Sequence, residues 1–161
     1  FDRHIAHVTH EHAALLWDRL GHWAQDEDAW EEAERCFRLA YEIEGGHYGY
    51  CLGTALNFLA RFAEALPLVQ AQADGIQPDA MSWFQVGVAQ EHLGCAQAAV
   101  QAYCRALLFD PDYALAMFNM AGTLWNSGDH DRAAIVFRTA AQQFPDHDLT
   151  AKLRRDLPEL F

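Results

Sequence analysis

Residues 4–12 read HIAHVTHEH, a dense run of side chains able to ligate metal. On a helix, His7, His10 and Glu11 stand at i, i+3 and i+4, so one face presents all three, with His4 a turn earlier. Imidazoles with a carboxylate suit zinc or nickel. The run is not a metalloprotease motif, because HEHAA at 10–14 lacks the second histidine that HExxH places one turn on. Histidines near a chain end are more often a solvated segment or an adventitious site, so no metal and no other cofactor is expected. No nucleophile elbow, kinase-type motif or glycine-rich phosphate loop is present either, and the expectation is a non-enzymatic protein.

The remaining reactive side chains are thiols. Cys36, Cys51, Cys95 and Cys104 form no CxxC pair, and a chain of 161 residues needs no disulfide staples. They read as free thiols of a cytoplasmic protein, a periplasmic disulfide having no positive support. Cys95 and Cys104 fall on different helices of one repeat and read as small packing residues. The net charge of −12 and a pI near 5.0 argue against nucleic acid and against an anionic membrane surface. No apolar run is long enough to insert in a bilayer. Residues 26–34, DEDAWEEAE, carry six acids and no base, which suits a solvated helix start favoured by the helix dipole. The chain begins at Phe1 rather than Met, which favours a larger parent protein and leaves room for a removed leader.

The elements that would position these groups follow a period. Ala33, Ala65, Ala99 and Ala133 are spaced by 32, 34 and 34 residues, and Gly21, Gly53, Gly87 and Ala121 by the same intervals. Phe37, Val69, Tyr103 and Phe137 follow the first series four residues later, and Ala40, Ala106 and Ala140 seven later. Pro78, Pro111 and Pro145 each precede Asp, where proline would stop one helix and Asp could cap the next. Gly94 and Gly128 mark turns inside two repeats. Each repeat reads as two amphipathic helices, and no strand-type alternation appears. A mid-helix glycine costs about 1 kcal/mol against alanine. The recurrence of Gly21, Gly53 and Gly87 implies that close approach of the two helices of one repeat offsets that cost.

The pattern W-x-x-L-G, then A-x-x-x-F-x-x-A, then P, at a period of 34, resembles the tetratricopeptide repeat. WDRLG at 17–21 matches the first element, and AERCFRLA at 33–40 the second. AVQAYCRALLFDP at 99–111 and AAIVFRTAAQQFP at 133–145 match the second and third together. The resemblance implies an all-α, right-handed solenoid of four helix-turn-helix repeats at 14–45, 46–79, 80–113 and 114–147. Residues 1–13 read as an N-terminal helical extension and 148–161 as a C-terminal capping helix, with Leu149 and Leu153 inward and Lys152, Arg154 and Arg155 outside. The second repeat is degenerate: Gln72 replaces the small residue, and Pro67 falls within its second helix, where it would kink the helix or delay its start.

In this family, partner contacts come mostly from positions 2, 5, 9, 12 and 13 of each repeat. Carried over by register, the implied peptide-binding groove holds Asp18, Tyr50, Phe84 and Phe118 at position 5, and His22, Thr54, Val88 and Gly122 at position 9. Gln25, Asn57, Glu91 and Trp125 stand at position 12, and Asp26, Phe58, His92 and Asn126 at position 13. Tyr50, Phe58, Phe84, Phe118 and Trp125 would line one groove, with Asn57, Glu91, His92 and Asn126 able to pair with a ligand backbone. The expected partner is an extended or helical apolar segment of another protein, bound by an adaptor or chaperone-like scaffold. The alternative is a self-assembling scaffold or a segment of a longer solenoid, with a homo-oligomer as its form. The Lys/Arg/Asn clamp that grips acidic chaperone tails is not matched, since Asp18, His22, Tyr50 and Phe84 occupy those positions. A lower alternative is the chaperone class of type III secretion translocators, whose middle repeat YGYCLGTAL at 48–56 resembles in a general way.

Overall fold

The computed structural model describes the backbone of residues 2–46 and 48–161, and the side chains of 12–46 and 48–161. Among these the chain is helical throughout and carries no strand. It folds as two compact units, Phe1–Pro78 and Asp79–Phe161.

The first unit contains α1 (Asp2–Asp26), α2 (Trp30–Glu44), α3 (Tyr48–Phe58) and α4 (Phe62–Ala73). Helix α1 packs on α2, α2 on α3, and α3 on α4. Residues 2–13 continue α1 without a break. The core is built from Ala24, Ala33, Phe37, Leu52, Ala55, Leu56 and Ala65, all buried. The second unit contains α5 (Ala80–His92), α6 (Ala96–Phe109), α7 (Ala114–Asn126), α8 (His130–Gln143) and α9 (Asp148–Asp156), followed by a 3-10 turn at Pro158–Leu160. Its core joins Val100, Phe118, Ala121, Leu124, Phe137 and Leu160, with Leu149, Leu153 and Leu157 of the closing segment packed against it. Lys152, Arg154 and Arg155 stay exposed, so α9 is apolar inside and basic outside.

The recurring glycines do what close helix packing demands. A Cβ on Gly21 would lie 2.5 Å from Phe37 Cε1, on Gly53 2.8 Å from Val69 Cγ1, and on Gly87 2.4 Å from Tyr103 Cε1. Each clash is with the large residue on the second helix of the same repeat. The three large residues are fully buried, at 0% exposure, whereas Phe137, which meets Ala121 instead of a glycine, is 7% exposed.

The turns between paired helices also recur in phase. Asp28 (φ 56°), Ala60 (φ 58°), Gly94 (φ 79°) and Gly128 (φ 88°) all take the left-handed conformation. Glycine fits there without strain, whereas Ala60 carries a Cβ against it.

Several local expectations are corrected. Pro67 does not delay the start of its helix, which begins at Phe62 and runs through it. Both Pro67 and Ala63, whose carbonyl loses its partner, are exposed, so water can satisfy the oxygen. Of the Pro–Asp pairs, Asp79 caps a helix. Its carboxylate accepts from Ser82 N at 2.6 Å while Ser82 Oγ accepts from Asp79 N at 3.2 Å, a reciprocal capping box. Asp112 instead accepts from Gln143 Nε2 at 2.7 Å, and α7 begins after Tyr113 with no side-chain cap. In α9 the cap is His147, whose Nδ1 accepts from Leu149 N.

The acidic stretch is only partly solvated. Glu31 and Glu32 are exposed in the first turn of α2, but Glu34 is buried. It accepts from Arg38 Nε at 2.8 Å and Arg61 Nη1 at 3.2 Å, tying α2 to the turn before α4. Cys95 and Cys104 are exposed rather than packed inside, Cys104 Sγ lying 3.4 Å from Met120 Sδ, and all four cysteines are free thiols. Among the described residues no helix is long and apolar enough to cross a membrane.

Candidate peptide-binding faces on the first helices

The first helix of each repeat carries the residues expected to meet a partner. In the first unit these lie on α1 and α3. Asp18 and His22 are one turn apart, with Oδ1 and Nε2 3.6 Å from each other. Cys51 Sγ approaches the same His22 nitrogen at 3.8 Å. Burial and the Asp18 carboxylate push the Cys51 thiol up to about 11. Tyr50 and Thr54 are half-buried, and Thr54 Oγ1 is buried without a hydrogen-bond partner. Asn57 is buried rather than presented. Phe58 is 60% exposed and stacks flat on Trp30, ring centroids 3.7 Å apart.

In the second unit the face is built by α5 and α7, which touch each other. Phe84 is half-buried, its ring 5.0 Å from that of Tyr113 and 5.8 Å from that of Tyr103. Val88 and Glu91 are half-buried beside it, and His92 is exposed at the helix end. Glu91 is engaged within the unit, accepting a hydrogen bond from Tyr103 Oη at 2.8 Å. Desolvation first, then the Glu91 carboxylate, raises the Tyr103 phenol far above its ordinary range.

On α7 the expectation for Phe118 is corrected. It is buried at 5% exposure, with the rings of His147 at 5.3 Å and Phe144 at 6.5 Å, so it forms core under the closing segment. Trp125 is half-buried and packs edge-on to His130 at 4.5 Å and near Phe137 at 6.4 Å. Asn126 is exposed. Gly122 is half-exposed, and a Cβ added there would meet nothing within 4 Å. This glycine therefore leaves a gap on the surface of α7 instead of making room for a neighbouring helix.

Two residues of this face were missed from sequence. Met81 is 53% exposed and Leu115 44%, and both occupy position 2 of their repeats. That position belonged to the family's contact set, but no residues were assigned to it. A second exposed apolar stripe lies on α1. Leu16, Leu20 and Trp23 are 62%, 47% and 64% exposed, while their counterparts one repeat later, Tyr48, Leu52 and Ala55, are buried beside α2. The sequence candidates His7, His10 and Glu11 lie outside the residues whose side chains are described.

Comparison with known proteins fits this architecture. A family model described as Tetratricopeptide repeat matches residues 114–147. No curated protein sequence matches the chain. Among solved structures, YrrB, described as a TPR protein with an unusual peptide-binding site, is similar at TM-score 0.79 and 24% identity, over 89% of this chain and 75% of that one. MamA from Desulfovibrio magneticus RS-1 is similar at TM-score 0.77 and 18% identity, over 84% of this chain and 77% of that one. The Cut9–Hcn1 assembly of the APC/C contains a chain that matches at TM-score 0.79 and 16% identity, over 89% of this chain but 29% of its own length. With small residues facing large ones across each helix pair, phased turns and a family match on residues 114–147, the chain has the tetratricopeptide-repeat fold, about four helix pairs and a closing helix.

Proposed function

We propose that the protein is a non-catalytic binding module that takes an apolar or aromatic segment of another protein on the α5–α7 face. The observation that carries this reading is the set of Met81, Phe84, Val88 and Leu115, exposed or half-exposed on two touching helices, beside the gap at Gly122. Monomeric surfaces rarely leave apolar side chains grouped in this way without a partner. His92 and Asn126 lie at the exposed helix ends, where they can pair with the backbone of a bound segment. The corresponding face of the first unit, with Asp18, His22, Tyr50, Thr54 and Phe58, is more polar. YrrB, similar in fold, is described as having a peptide-binding site, which agrees with such a role. An adaptor or chaperone-like scaffold fits this chemistry.

The test uses the gap. Gly122→Trp adds a bulky side chain at a position where a Cβ meets no neighbour, and Phe84→Ala removes an anchor. Peptides selected from a displayed random library on the wild type should be rich in apolar and aromatic residues. Their binding should fall more than tenfold with Gly122→Trp and persist with Ile135→Ser, an exposed position on α8. Equal binding to wild type and Gly122→Trp would sink the proposal.

The stripe Leu16, Leu20 and Trp23 favours a second reading, a scaffold that joins copies or further repeats. It is the face that a preceding second helix covers elsewhere in the chain. Light scattering over a range of concentrations should then show mass rising with concentration, and Trp23→Glu should abolish the rise. A concentration-independent monomer would count against this reading.

A further inference from the structure

Asp18, His22 and Cys51 bring three different metal-ligating groups together in the first unit. Their ligand atoms all lie within 4.8 Å of one another. Oδ1 of Asp18 is 3.6 Å from Nε2 of His22, and that nitrogen is 3.8 Å from Sγ of Cys51. Tetrahedral zinc, with bonds of about 2.0 Å to N and O and about 2.3 Å to S, holds its ligand atoms roughly 3.3–3.6 Å apart. Two of the three separations need to close by only a few tenths of an ångström.

Without a cation the trio is poorly satisfied. The Asp18–His22 separation of 3.6 Å is longer than a normal hydrogen bond, and the Cys51 sulfur meets the same nitrogen at 3.8 Å. No lysine or arginine among the described residues pairs with Asp18. Burial first, and then the Asp18 carboxylate, oppose ionisation of the thiol. A divalent cation reverses each of these relations, since it accepts carboxylate, imidazole and thiolate together.

The ligands are also held from behind. The His22 ring meets Phe37 edge to face, centroids 5.1 Å apart at 72°, and Phe37 is fully buried in the space that Gly21 leaves. A packed ring behind an imidazole fixes its orientation as outer-shell partners do in metal sites. The His22 side chain is 52% exposed, so the side away from Phe37 is open to solvent.

We propose that Asp18, His22 and Cys51 form a zinc site that joins α1 to α3, with a fourth coordination position open to solvent. A thiolate with an imidazole selects zinc over magnesium and calcium. The site would pin the first helices of two successive repeats to each other. It does not depend on the α5–α7 surface.

The full chain, freed of metal and kept reduced with a non-chelating phosphine, is titrated with Zn²⁺ alone by equilibrium dialysis and with Co²⁺ by absorption. The expected result is one ion per chain, a thiolate-to-cobalt charge-transfer band in the near ultraviolet, and a higher melting temperature with zinc. Cys51→Ser should abolish the band, and both Cys51→Ser and His22→Gln should weaken zinc binding more than tenfold. His22→Gln is the safeguard against misfolding, because its side chain is half-exposed. The double change His7→Ala with His10→Ala should leave the stoichiometry unchanged. Absence of binding, binding that survives either Cys51→Ser or His22→Gln, or binding lost with the His7 and His10 changes would each overturn the proposal.

Discussion

Tyr103 occupies the space that a side chain on Gly87 would need: a Cβ there would stand 2.4 Å from Cε1 and 2.6 Å from Cδ1 of the ring. The ring is fully buried and its hydroxyl is tied to Glu91, so it cannot swing away. Gly87→Ala should therefore destabilise the protein by about 1–3 kcal/mol, overpacking outweighing the better helix propensity of alanine. Gly122→Ala, also within a helix but facing open space, should stabilise by about 0.5–1 kcal/mol. Urea midpoints at unchanged m-value would measure both, and two shifts of the same sign would contradict this account.

Ala60 sits at φ 58°, where its counterparts one and two repeats later, Gly94 and Gly128, are glycines. Ala60→Gly should raise stability by up to about 1 kcal/mol, since relief of the left-handed strain exceeds the entropy that glycine adds to the unfolded chain. Asp28→Gly should gain less, because Asp tolerates this conformation better than alanine. Thermal melts of the two variants would rank them.

Asp79→Ala should cost about 1 kcal/mol through loss of the cap on α5, whose partner Ser82 is fully buried. Asp112→Ala should cost less, because its exposed carboxylate caps no helix and its side-chain bond is to Gln143. The same denaturation assay separates them.

Alkaline pH should act through Tyr103. The folded protein keeps this phenol protonated after the unfolded chain has lost its proton, because burial and then Glu91 raise the folded value. The stabilisation is complete below about pH 10 and declines as pH rises beyond it, by up to about 1.4 kcal/mol per pH unit. Tyr103→Phe should make the decline shallower, with a residue left from Tyr48 and Tyr113, whose values are also raised. At neutral pH the same change should cost about 1 kcal/mol for the lost hydrogen bond to Glu91.

The features legible in the sequence were those that the period repeats. Gly21, Gly53 and Gly87 announce tight helix pairs because the same small residue recurs in phase with a large one. The left-handed turns were half legible: Gly94 and Gly128 mark them, whereas Asp28 and Ala60 share the phase but not the residue type. Phe118 was misplaced because register says which way a side chain leaves its helix, not what later covers it. His147 and Phe144, far along the chain, do the covering. The approach of Cys51 to Asp18 and His22 had no sequence signature at all. It joins two helices through side chains 29 residues apart, outside any recognised motif.

In the fourth repeat Ala121 replaces the glycine, and Phe137 is 7% exposed where Phe37, Val69 and Tyr103 are at 0%. The small residue and the large one opposite it are thus a matched set, fitted separately in each repeat. In building chimaeras from this protein, the interchangeable module is the whole hairpin. A single helix moved from the fourth repeat to the third would carry its methyl group into a partner shaped for none.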